Sequence, residues 1–387
     1  MKDILLYKVM PVVAMVFLSY VTIFTSNVFL ILSLILIIPY FFHRRKLFFT
    51  NKYLMLFFVM GLFGSIINLI GTNNGIGGTI NFIVSVGIAI FCIENVNFSR
   101  FFVLVLGLYT VYFLYSGLFV NNISFYSLYD DIGMSRNYPG FIMCACCCYW
   151  GFFKYIKKQE FTVILPILCT VFAFFLDGRS SLGVLFGISL FCLYYTFRKI
   201  LIVFALCVAI ILIYYIDDII NLFLLTNMAN NGMETGRYVI WRGYLEHLDL
   251  ATLILGLNTM DVPEVRAVNG NPHNAFLNFH YRMGLFGLIG LLLIIYRSIK
   301  VLVNKERFVM LAFMAFLLFR IFFDACLGST TDYIIYAIFL YPILYNHKVF
   351  RRIRRKLVYN KVLSRHKRTF MRNDKLIKVF QQVERII

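Results

Sequence analysis

Residues Tyr53 to Cys92 read YLMLFFVMGLFGSIINLIGTNNGIGGTINFIVSVGIAIFC and contain neither an acid nor a base. A Gly/Asn-rich stretch at 71–78 separates two apolar runs, 53–70 and 79–93. About 20 apolar residues in a helix span a bilayer core of roughly 30 Å, so this pair predicts a transmembrane helical hairpin. The runs lack the period-two alternation of a membrane strand, and a lone segment satisfies its own backbone in lipid only as a helix. Farther out, Val9 to Asn27 and Phe101 to Leu128 are equally free of charge. The chain of 387 residues is 61% hydrophobic and 14% charged, more apolar surface than a soluble domain of that length can hide.

The same reading over the whole chain predicts about twelve transmembrane helices, near 9–25, 28–42, 53–70, 79–93, 101–120, 138–153, 161–176, 182–197, 200–216, 275–296, 308–323 and 333–345. Basic clusters fall in every second connection: Arg44-Arg45-Lys46, Lys154 with Lys157-Lys158, Arg198-Lys199, Arg297 to Arg307, and the tail from Lys348. The positive-inside rule makes these cytoplasmic, with both termini inside and 71–78, 121–137, 177–181, 217–274 and 324–332 outside. The expected organisation is an all-α polytopic membrane domain over 1–347 and a basic tail over 348–387. In the tail, Val349, Ile353, Leu357, Val358, Val362 and Leu363 recur at helical spacing among bases, as in a helix resting on anionic lipid. The net charge of +19 collects on the inner side, which points to membrane lipids and not to nucleic acid. Eight of the nine cysteines lie in apolar runs as small hydrophobes and form no disulfide framework. The first apolar run has no small-residue cleavage site and reads as a span, not a signal peptide.

On the outer side every base is an arginine: Arg136, Arg179, Arg237, Arg242, Arg266, Arg282 and Arg320. A guanidinium offers a planar fork that grips phosphate in a bidentate manner, which an ammonium cannot do. The plainer alternative is that arginines at helix ends snorkel to headgroups. The longest outer connection, 217–274, opens with Asp217-Asp218 and contains a predicted helix, Arg237-Tyr-Val-Ile-Trp-Arg-Gly-Tyr-Leu-Glu-His-Leu248, with Thr235 as its expected N-cap. Arg237 and Trp241 are four residues apart and share a face, as do Arg242 and Glu246. An arginine beside an exposed aromatic can hold an anion and a sugar face together, or can make a simple cation–π contact. The connection ends Asn269-Gly-Asn-Pro-His-Asn274.

Here the chain resembles the O-antigen ligase and O-antigen polymerase superfamily of bacterial surface-polysaccharide assembly. The ligase-type signature reads His273-Asn274, nine residues from Ala275 to Met283, then Gly284, two residues and Gly287. A second element is similar to the family's Arg-x-x-x-Trp opening of the outer helix, as Arg237 and Trp241 followed by Gly256. A third resembles its Ser-Arg element between two helices, here Asp177-Gly178-Arg179-Ser180, and departs from it in placing Gly before the Arg. The paired Arg-x10-Gly motifs of some polymerases are not present. The resemblance covers about 170–345, and topology alone extends it to the first half.

The resemblance implies a GT-C-like membrane glycosyltransferase acting at the outer leaflet on undecaprenyl-diphosphate-linked glycans as donor and acceptor. Neither a nucleotide sugar nor a metal or other cofactor is implied, and a flippase and a chain-length regulator are the implied partners. Cleaving the sugar–diphosphate bond leaves negative charge, which pre-placed arginines stabilise. Arg179, Arg237 and Arg242 are the candidates for that role, with Trp241 and Asn274 beside them and Arg282 and Arg320 as second choices. His273 suits an acceptor-activating base through an ordinary pKa near 6.5; the plainer role is in capping the next helix, where Gly284 and Gly287 allow close packing. The expected reaction is polymerisation of repeat units. The alternatives are transfer of finished glycan to lipid A–core by a ligase, and export by a lipid-linked oligosaccharide flippase. A flippase needs a polar path through the bilayer, whereas nearly all ionisable residues here read as helix-end residues.

Overall fold

The computed structural model describes residues 9–24, 27–71, 76–115, 137–175, 179–214, 236–324, 327 and 331–345. The described residues are mostly helical, with no strand among them. The helices are α1 (Met10–Phe24), α2 (Asn27–Thr50), α3 (Lys52–Gly71), α4 (Gly77–Glu94), α5 (Val96–Tyr115), α6 (Asn137–Ile156), α7 (Ile164–Phe175) and α8 (Arg179–Tyr214). They continue as α9 (Gly236–Glu246), α10 (Leu250–Leu255), α11 (Pro263–Arg266), α12 (Ala275–Val303), α13 (Phe308–Phe322) and α14 (Asp332–Tyr345). A 3₁₀ turn, Thr259–Asp261, joins α10 to α11.

Five stretches are long and apolar enough to cross a membrane: Val28–Thr50, Lys52–Leu69, Gly77–Glu94, Ser180–Arg198 and Ala275–Val303. Val96–Tyr112, Ile164–Phe174, Phe308–Phe322 and Asp332–Tyr345 are shorter apolar helices. The protein is therefore an all-helical membrane protein. Where described, each of the twelve predicted segments falls on a helix.

Burial separates two kinds of helix. Helices α4, α6 and α14 are buried on nearly every side, as expected of helices apolar all round. The helices around them turn large apolar side chains outward, Val28, Phe42, Phe101, Tyr112, Ile164 and Phe174 among them, the surface that lipid covers. Helix α12 packs along α3, α14 on α4, and α13 on α6. Seven cysteines are buried as free thiols, as their apolar surroundings predict; the Cys207 side chain and Cys326 lie outside the described residues.

The helix ends differ from expectation most at three places. Helix α2 runs through the basic cluster to Thr50 instead of stopping at 42. Arg44 pairs with Glu94 of α4 at 2.6 Å and the Tyr40 hydroxyl donates to the same carboxylate at 2.8 Å, so this cluster is helical and partly buried. The segments read as 182–197 and 200–216 form one element, α8, that turns at Phe197 (φ −135, ψ 51). Helix α12 continues to Val303 because its C-terminal end is held: Arg297 stacks over the Tyr53 ring at 4.8 Å and the Ser298 hydroxyl donates to Phe339 O. The same helix is broken at Gly284, a feature the sequence reading did not contain.

Candidate functional site

Four consecutive residues before α12 divide the work of placing His273. The Asn271 side chain accepts from His273 N at 2.8 Å, an Asx turn that bends the chain. Pro272 O accepts from Trp241 Nε1 at 3.0 Å, fixing this turn to α9. Asn274 is the N-cap of α12, its Oδ1 accepting from Phe276 N at 2.9 Å and Leu277 N at 3.2 Å. The capping role considered for His273 thus belongs to Asn274, and its oxygen is already engaged. His273 takes a left-handed backbone (φ 48), uncommon outside glycine, and its ring is released from the helix.

The ring is half-buried, and its Nδ1 is inaccessible and without a hydrogen-bond partner among the described residues. Burial holds the imidazole below its ordinary pKa; Asp324 pushes it upward and Arg237 downward. At neutral pH the ring is therefore uncharged, with a lone pair available.

Around it converge α9 and the C-terminal end of α13. Arg237 lies over the Phe323 ring at 5.9 Å, and Trp241 meets Phe322 edge-on at 5.3 Å. The shared face predicted for Arg237 and Trp241 is real, and it is the face that meets the aromatic end of α13. Arg320 is fully buried below this shelf. Its Nη2 donates to Asp324 at 2.9 Å and to Asn137 O at 3.0 Å, and its Nε donates to Ser181 Oγ at 3.0 Å. It ties the first turns of α6 and α8 to the C-terminal end of α13, and its contacts here are structural. Helix α8 begins at Arg179, two residues before Ser181, so the backbone of Arg179 belongs to this junction; its side chain lies outside the described residues.

Two other candidates lie elsewhere. Arg242 pairs with Glu246 at 2.7 Å on an exposed face of α9, the pairing that its spacing predicts. Arg282 faces a cleft between α12, α3 and α4. Arg136, Asp177, Gly178, Asp217, Asp218, Thr235 and the tail 348–387 lie outside the described residues.

The segment from α9 to α11 has a small apolar core of its own, formed by Ile240, Tyr244, Leu257, Val262 and Val265. Its link to α12 is His280, whose Nε2 donates to Leu253 O at 2.7 Å while Nδ1 accepts from the Tyr244 hydroxyl at 2.9 Å, a neutral tautomer assigned from these partners. A second link forms at the break in α12. Gly284 has φ 59 and ψ −171, a conformation open essentially to glycine alone, and a Cβ there would lie 2.5 Å from Ile254 O. The break releases carbonyls from the helix ladder, and Asn68 Nδ2 donates to Tyr281 O at 2.6 Å and to Leu255 O at 2.7 Å. Gly64 of α3 packs against the same place, where a Cβ would meet Met283 O at 2.1 Å. Close packing at the signature glycines is thus present, but the main requirement at Gly284 is its backbone angle.

Sequence reasoning did not single out Asp324 as a partner, nor Ser181, Asn137, Asn68 or His280. Among the described residues no three His, Cys, Asp or Glu side chains gather as a metal site requires. What the geometry brings together is an imidazole held neutral by burial, the Arg237 guanidinium and the aromatic rings of Trp241, Phe322 and Phe323. Compared with protein-family models, curated protein sequences and solved structures, the chain matches none.

Proposed function

We propose that this protein is a glycosyltransferase of a bacterial cytoplasmic membrane that polymerises lipid-diphosphate-linked oligosaccharide units into O-antigen or a related surface polysaccharide. In this reading the chain has about twelve spans in a GT-C-like arrangement. The site faces outward, both termini face the cytoplasm, and a flippase and a chain-length regulator act beside it. The observation that carries the reading is the half-buried His273 ring within electrostatic reach of Arg237, on residues that resemble the superfamily's signature.

The chemistry follows from the placement. His273 takes the proton of the acceptor sugar hydroxyl as that oxygen attacks the anomeric carbon of the donor. The bond from that carbon to the diphosphate breaks, and its electron pair leaves with the lipid diphosphate. Arg237 stabilises the leaving charge by a bidentate grip, and Trp241 with Phe323 offers a flat apolar surface to a sugar ring. Arg320 and Asn274 position this assembly, and the imidazolium then returns its proton to water.

The lipopolysaccharide ladder of a deletion strain tests the reaction. A single repeat unit on the core is the result expected for a lost polymerase. Bare core with lipid-linked polymer accumulating would make the protein a ligase. Accumulation of single lipid-linked units on the cytoplasmic face would make it a flippase and overturn the enzymatic reading.

A further inference from the structure

The cleft that Arg282 faces is separate from the His273 site. It opens between the outer ends of α3 and α4 and the first segment of α12, whereas His273 is flanked by α9 and α13. Ser65, Asn68, Thr79, Tyr281 and Arg282 line its polar walls around a volume of about 140 Å³, and no carboxylate lines it among the described residues. That volume suits a phosphate or diphosphate and is too small for a sugar chain. Arg282 is also within electrostatic reach of Tyr336 on α14, whose hydroxyl donates to Asp332 at 3.3 Å.

Two further features suit a lipid headgroup. The floor includes Gly78 at the start of α4, where a Cβ would meet nothing within 4 Å, so the backbone is open to the cleft. Among the described residues the first intrahelical bond of α4 is Ile80 N to Ile76 O at 3.1 Å, and Ile76 supplies no side-chain cap. The backbone of Gly78 and Thr79, in the first turn of this 18-residue helix, lies beside Arg282 on the cleft wall, where a helix start favours an anion. Away from the cleft, Leu56, Val59, Phe63 and Ile66 follow one another at helical spacing along the exposed face of α3. An amphiphile seated here has its charge in the cleft and its hydrocarbon on that stripe.

We propose that this cleft is a second lipid-phosphate site, which seats the terminal phosphate or diphosphate of a polyprenyl-type carrier on Arg282, Thr79 and the start of α4. The identity of the lipid rests on the polymerase reading, in which two carriers, donor and acceptor, must be held at once. The site is thereby distinct from the Arg237 clamp.

Native mass spectrometry of the full chain in neutral detergent, titrated with undecaprenyl phosphate, tests this. Wild-type protein should retain two lipids, and Arg282→Gln and Gly78→Asp should each retain one, with the lost site weakened about tenfold or more, as for removal of a charged hydrogen-bond partner. Gly78→Asp separates binding from folding: the space is open and an acid in the first turn favours a helix, so its melting temperature should not fall. Unchanged lipid occupancy in both cleft variants overturns the proposal. Loss of one lipid in Arg237→Gln alone keeps the clamp and removes the cleft site, and loss in the cleft variants alone does the reverse. If inorganic pyrophosphate displaces the cleft lipid at equal concentration, the ligand is a free anion and the lipid assignment fails.

Discussion

His273 holds a left-handed backbone at a cost of about 1–2 kcal/mol, a strain that a residue chosen only to precede a helix need not carry. Purified His273→Asn and His273→Ala proteins, matched for folding, should both lose about 10²–10⁴ in elongation rate if the ring is a base. Asparagine tolerates the same backbone and keeps an acceptor, so an active His273→Asn would reduce the ring to an orienting role. Because burial lowers its pKa, the rate should be full at pH 7 and fall only in acid, with a half-point below about 6.5. A half-point above that value would place another group in control. Arg237→Lys should not restore activity, since a point charge loses the fork; the expected loss is on the order of 10²–10³. Full polymer length and yield in that variant would leave only membrane snorkelling for Arg237. His273, Asn274, Arg237 and Trp241 were legible because their relations are local, within one turn or one motif. Asp324 was not: it reaches the site through tertiary packing, and its partner Arg320 is bonded to Asn137 across 183 residues of sequence.

Between elements, the informative joints are polar and small. Asp324→Ala removes a carboxylate paired with the fully buried Arg320, and the loss of one partner of such a pair costs about 3–5 kcal/mol. Thermal melting in detergent should show this as a large downward shift, whereas Arg242→Ala, on an exposed pair, should barely move it. Gly284→Ala should destabilise the protein even though alanine is the better helix former, because the angle there excludes a Cβ and the nearest atoms are backbone carbonyls. A melting temperature equal to wild type would mean that α12 can run straight through. The spacing of Gly284 and Gly287 announced close packing but not a broken helix, since nothing local distinguishes the two. The decisive atom is on Asn68, 213 residues from Tyr281. The inner end of α2 was misread for a similar reason: a basic triplet looks like a connection until its distant carboxylate, Glu94, is placed.

For the molecule as a whole, the apolar runs made the helical membrane class legible, because lipid demands length and hydropathy and little else. Fusions of compartment reporters after Asn269 and after Glu306 should report opposite sides; the same side for both would break the proposed topology. The order in which helices pack was not legible, as apolar faces carry no address. Helices α9 to α11 form a cap that rests, among the described residues, on five buried apolar side chains, whereas the bundle is buried through several whole helices. Cooperative units of unequal core open at unequal free energies. Amide exchange should therefore find the outer cap exchanging through its own opening, well before the bundle, with Tyr244 and Val265 among its slowest sites. A ligand bridging Arg237 and His273 would join two pieces of that cap to the outer end of α13. It should thus slow exchange across the whole cap, including residues it never touches, so that occupancy could be read from protection at α11.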